Sequence, residues 1–79
     1  MSAPITLQRV RDNLAWCLRL ERGASRRAQY FERRANNPRN PNRAASARVA
    51  AGYQADAAKD RRRIVELRAE LESVKGGAA

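Results

Sequence analysis

The segment Asn36-Asn37-Pro38-Arg39-Asn40-Pro41-Asn42 decides the fold of this chain. It gathers two of the three prolines and four asparagines into one short stretch. Proline lacks the amide hydrogen a helix needs, and its ring restricts the residue before it, so a helix arriving from the N-terminal side must end before Pro38. Asn36 or Asn37 is expected to close it in the left-handed conformation. Asn40 followed by Pro41 reads as the start of a second helix, with an N-capping side chain and proline at the first helical position.

Outward from this break, Pro4 marks the start of the first helix and Gly76-Gly77 the stop of the second. The expected organisation is one domain: helix about 4–36, loop 37–40, helix about 41–75 and a flexible tail 76–79. Each arm would be about 45–50 Å long at the helical rise.

Apolar spacing supports two helices that lie against each other. Leu7, Val10, Leu14, Cys17, Glu21, Ala24, Ala28, Phe31 and Ala35 follow one another at alternating steps of three and four, as do Val74, Leu71, Leu67, Ile64, Asp60, Ala57, Tyr53, Ala50 and Ser46 read backwards. Folding at the Pro38–Pro41 break sets Leu7 opposite Val74, Val10 opposite Leu71, Leu14 opposite Leu67, Cys17 opposite Ile64, Ala24 opposite Ala57, Ala28 opposite Tyr53 and Phe31 opposite Ala50. Large aliphatics meet at the open end and alanines near the loop. One polar layer, Glu21 with Asp60, has Lys59, Arg61 and Arg63 within reach and acts as a register pin. The fold class is all-α: an antiparallel two-helix, coiled-coil-like hairpin with a left-handed crossing.

Trp16, Leu18 and Leu20 fall outside the first stripe, and Ala47, Ala51, Ala58 and Val65 form a second stripe beside that of helix two. A chain of 79 residues has a small core, and with Cys17 as its one cysteine it has no internal disulfide to reinforce it. Self-association through Trp16, Leu18, Leu20 and Val65 is expected, two hairpins forming a four-helix bundle.

The residues offer little for catalysis. Histidine is absent, and Cys17 lies in the seam opposite Ile64 with no base beside it. Ser25, Ser46 and Ser73 have no base partner. Glu66 and Glu70, one turn apart, are explained by ion pairing with Arg62 and Arg63. One thiol and no histidine cannot build a zinc shell. The expectation is a non-enzymatic protein without metal or cofactor.

Charge carries the functional reading. Seventeen Lys and Arg against eight Asp and Glu leave +9, and fifteen of the seventeen are arginine. Between Arg19 and Arg48 nine arginines meet only Glu21 and Glu32, a local balance of +7. Arg19, Arg22, Arg26 and Arg33 step along the face of helix one away from the seam, and Arg27, Arg34, Arg39 and Arg43 extend the charge toward and around the loop. Arginine suits bidentate phosphate contact and stacking on bases, and Tyr30 lies among these residues. These eight arginines are the expected nucleic-acid or anion-binding residues, used with little sequence readout. The alternative is a stoichiometric inhibitor or adaptor, encoded by a phage or mobile element, that docks on an acidic host protein; a nucleotide-sequestering oligomer is a third reading. No apolar leader or membrane-length run is present, so a cytoplasmic location without membrane contact is expected.

Overall fold

A computed structural model describes residues 6–77, which form two helices, α1 (Leu7–Asn36) and α2 (Arg43–Gly77). They pack side by side in opposite directions: Asn40 meets Ser46 at the loop, Phe31 meets Tyr53 further along, and Glu21 meets Arg61 beyond. The molecule is a rod of 59 × 24 × 14 Å.

Thr6 caps α1, its Oγ1 accepting from the Arg9 N–H at 3.2 Å. The start expected at Pro4 lies outside the described residues. At the other end the expected left-handed cap does not form. Asn37 is extended (φ −81°, ψ 114°), and its N–H donates to the Arg34 carbonyl at 3.3 Å. Pro38 is the cause, because a residue before proline is pushed into the extended region.

The loop is stapled by its asparagines. Asn37 Oδ1 accepts from the Arg39 N–H at 3.0 Å, and the Asn40 N–H donates to the Asn37 carbonyl at 3.0 Å. Asn40 Oδ1 accepts from the Asn42 N–H at 2.9 Å, which closes a turn ahead of α2; the expected cap at Asn40 with Pro41 as first helical residue is displaced, because the helix begins only at Arg43. Its amide nitrogen also donates to the Arg34 carbonyl at 2.9 Å and to Ser46 Oγ at 3.2 Å. One side chain thereby joins the end of α1 to the start of α2. Regular helix begins at Arg43, two residues after Pro41, and runs through Gly76 to Gly77 instead of stopping at Lys75. Glycine in a helix costs about 1 kcal/mol relative to alanine but, unlike proline, does not block it. No described residue takes a positive φ.

Every residue of both expected stripes is buried or half-buried. Val10 and Leu67 are the largest fully buried side chains; Ile64 joins them at the open end, while Ala24, Ala28, Ala50, Ala57 and Ser46 fill the seam toward the loop. Burying an aliphatic side chain of this size stabilises by about 1.5–3 kcal/mol, so the open end supplies much of the adhesion. Near the loop, small residues let the backbones approach and leave room for one aromatic pair. Phe31 stacks on Tyr53 with centroids 5.9 Å apart and planes at 18°, leaning along the seam from its expected place opposite Ala50. No described helix is long and apolar enough to cross a membrane.

Candidate nucleic-acid interface

The surface chemistry starts with what happens to the acids. Glu21 is held from both helices: Ser25 Oγ donates to its Oε1 at 2.8 Å, and Arg61 Nε donates to the same oxygen at 3.1 Å. Arg61 Nη2 also donates to Ser25 Oγ at 3.2 Å, closing a triangle. Glu32 accepts from Gln54 Nε2, again across the seam. Both acids of the Arg19–Arg48 stretch are therefore engaged by α2. All nine arginines of that stretch are exposed, and none forms an ion pair among the described residues.

The polar layer differs from expectation in one respect. Asp60 is half-buried but has no cationic partner among the described residues, because Arg61 turns to Glu21 and Arg63 to Glu66, the latter at 3.0 Å. The register pin is thus Glu21–Ser25–Arg61 rather than a neutralised Glu21–Asp60 pair.

Helical geometry sorts the arginines into columns. Arg19, Arg26 and Arg33, seven residues apart, form a line along the back of α1 with about 10.5 Å between members. Arg22 lies to one side of this line. Arg27 and Arg34 lie to the other, each against a ring: Arg27 is 5.8 Å from the Tyr53 centroid and Arg34 is 5.7 Å from that of Tyr30. Arg34 Nη1 also donates to the Tyr30 hydroxyl at 3.4 Å. Tyr30 is 48% exposed and meets Phe31 edge-on at 5.0 Å. Tyr30 thus packs on Phe31 while standing among the arginines. Arg39 joins Arg34, Asn37, Asn40 and Pro41 around a hollow at the loop end, and Arg43 opens α2.

Two grooves run along the hairpin, one on each flank. On the first, Leu20 and Arg27 of α1 face Tyr53, Asp56, Lys59 and Arg63 of α2, with Ala24 and Asp60 at the floor. On the second, Ser25, Gln29 and Glu32 face Gln54 and Arg61. This division separates the four residues expected to make one oligomer contact. Trp16, 56% exposed and one turn before Leu20, belongs to the first flank and has Arg19 5.6 Å from its ring centroid. Leu18 is rotated about 200° from Leu20 and sits on the Ser25 line. Val65, 66% exposed, lines a hollow with Arg61, Arg62 and Glu66 on that second flank. The first groove, with its two aspartates, is the part of the surface that spacing along either helix alone does not reveal. Cys17 is half-buried with a free thiol.

Comparison with protein-family models, with curated proteins and with solved structures finds no match. The class that the fold itself defines is an antiparallel helical hairpin with an arginine-dominated surface.

Proposed function

We propose that this protein is a non-enzymatic nucleic-acid binder that grips phosphates with the arginines of α1 and the loop. The observation that carries the reading is the engagement of Glu21 by Arg61 and of Glu32 by Gln54, which leaves nine exposed arginines without a carboxylate partner among the described residues. Crowded like charge destabilises a compact body unless an anion offsets it. Arginine answers phosphate with two parallel N–H donors. Arg19, Arg26 and Arg33 form the central contact, Arg22, Arg27 and Arg34 widen it, and Arg39 and Arg43 carry it around the loop.

The working unit in this reading is a homodimer in the cytoplasm. Its interface is the flank bearing Leu18, Val65 and the exposed alanines 47, 51 and 58, which carries apolar surface and leaves the back of α1 facing solvent. Two hairpins joined there make a four-helix bundle.

The test is the affinity of the wild-type protein for random-sequence DNA and RNA across a salt series. Phosphate binding gives a linear fall of log affinity with log salt, and the slope grows with the number of phosphates neutralised. A flat or absent response, together with a nuclease-resistant complex with one acidic protein in host lysate, would replace nucleic acid with that protein as the partner.

A further inference from the structure

We infer that the groove between Arg27 and Tyr53 takes an unpaired base of a single strand, which makes the partner single-stranded rather than duplex; the inference rests on the nucleic-acid reading above. The groove holds about 500 Å³, within the range of small-ligand sites. Its lining carries both signs of charge. Arg27 and Lys59 are cations without an ion-pair partner among the described residues, Arg63 is paired with Glu66, and Asp56 and Asp60, which line the same groove, are likewise without an ion-pair partner. Carboxylates repel phosphate. On a +9 chain built to hold a polyanion, two of them inside a groove weaken binding unless they accept hydrogen bonds from the ligand. The part of a nucleic acid with N–H donors to offer is the base edge, and the edge that a duplex keeps paired is exposed in a single strand.

A platform for that base is already assembled. Phe31 stacks on Tyr53 at 5.9 Å, and the Arg27 guanidinium lies 5.8 Å from the same ring. Single-stranded bases stack on guanidinium planes as well as on aromatic rings. A base laid against Arg27 and Tyr53 adds one member to this cluster of planar groups. Asp56 and Asp60, one turn apart on α2, then receive its amino or imino hydrogens, and Lys59 takes an adjoining phosphate. Guanine, with neighbouring imino and amino donors, suits a carboxylate best.

The experiment compares a short labelled single strand of mixed sequence with the same sequence as duplex, at one salt concentration, for the wild type and for Asp56→Ala, Asp60→Ala and Arg27→Lys. Asp56 is exposed, and loss of Asp60 removes a charge from the seam, so both aspartate variants keep the fold, checked by circular dichroism. Charge alone predicts that deleting a carboxylate raises affinity for any polyanion. Base recognition predicts the opposite sign: single-strand affinity falls on the order of tenfold in the aspartate variants, the strength of a bidentate base contact. Arg27→Lys, which keeps the charge and loses the plane, falls likewise, and duplex affinity falls in neither aspartate variant. Equal wild-type affinity for the two forms, or tighter single-strand binding by the aspartate variants, overturns the inference. An aspartate variant that changes sedimentation instead also overturns it, assigning the groove to a second copy of the chain. Failure of the phosphate reading looks different: the wild type then shows no salt-dependent binding to either form.

Discussion

Arg61 reaches across the seam to Glu21, forty positions earlier, and its Nε bonds the same carboxylate oxygen that Ser25 holds from within α1. The bond sets which layers of α1 and α2 face each other. It is also partly solvated, with Arg61 61% exposed and Glu21 20%. Such pairs contribute about 0.2–1 kcal/mol. Urea denaturation of Glu21→Ala, Arg61→Ala and the double variant should give a coupling energy inside that range. A coupling of zero would mean that apolar packing alone sets the register.

Asn40 should matter more than any other loop residue. Its side chain makes three bonds, to the Asn42 amide, the Arg34 carbonyl and Ser46 Oγ, and the last two tie the end of α1 to the start of α2. Asn40→Ala removes a turn bond and the ties to both helices together and should lower stability by about 1–2 kcal/mol. Asn37→Ala loses one exposed side-chain bond, to the Arg39 amide, and should cost less. Equal effects would show that the ties to Arg34 and Ser46 add nothing to the turn.

The contrast between these asparagines shows how much of the fold is legible in the sequence. The break, the two seam stripes and the antiparallel pairing follow from proline chemistry and from steps of three and four, both of which are local. The conformation of Asn37 is not legible in the same way, because the preference of asparagine for a left-handed cap competes with the restriction imposed by Pro38, and the proline wins. Gly76 and Gly77 read as a stop because glycine often sits beyond a helix end, but glycine permits a stop without forcing one. For the site, the arginine columns are readable from spacing on one helix. The groove of Arg27, Tyr53, Asp56 and Lys59 is not, since it exists only once two helices are brought together. Trp16, Leu18, Leu20 and Val65 look like one patch because all four lie outside the seam; position relative to the seam does not distinguish its two flanks.

Gly52 offers a stability test independent of function. It lies inside α2, and a Cβ added there meets nothing within 4 Å. Gly52→Ala should therefore raise stability by about 1 kcal/mol, seen as a higher urea midpoint. At Gly23 the added Cβ comes within 3.3 Å of Arg27 Nη1, the far end of a flexible side chain, so a smaller gain is expected. Loss of stability in Gly52→Ala would show that the open side of this glycine is occupied in solution, for example by a second hairpin.

Separation of the flanks makes the dimer interface testable by two substitutions. Sedimentation equilibrium of the wild type should give twice the chain mass of 8.9 kDa. Val65→Glu, on the flank with Leu18 and the exposed alanines, should shift the protein toward monomer, while Trp16→Glu on the opposite flank should leave the dimer in place. The reverse pattern would move the interface to the Trp16–Leu20 side. A monomeric wild type would remove the four-helix bundle.

The arginine column is where the proposed function meets its hardest test. Arg19, Arg22, Arg26 and Arg33 are all exposed, and none is ion-paired among the described residues, so replacing the four with glutamine should preserve the helical spectrum. Removing four like charges should even raise the melting temperature slightly, since the repulsion they contribute has no internal offset. Affinity for nucleic acid should fall steeply, and the slope of log affinity against log salt should become shallower by about one for each phosphate no longer gripped. Arg68 and Lys75 lie toward the open end of α2, and Lys75 already has Glu72 at 3.8 Å. Neutralising that pair of residues removes half as much charge from a different region and should leave most of the slope intact. The comparison separates a located site from general attraction. If slope and affinity changed only in proportion to net charge, wherever the charge was removed, the column would be a solvated face and the protein's partner would have to be sought elsewhere.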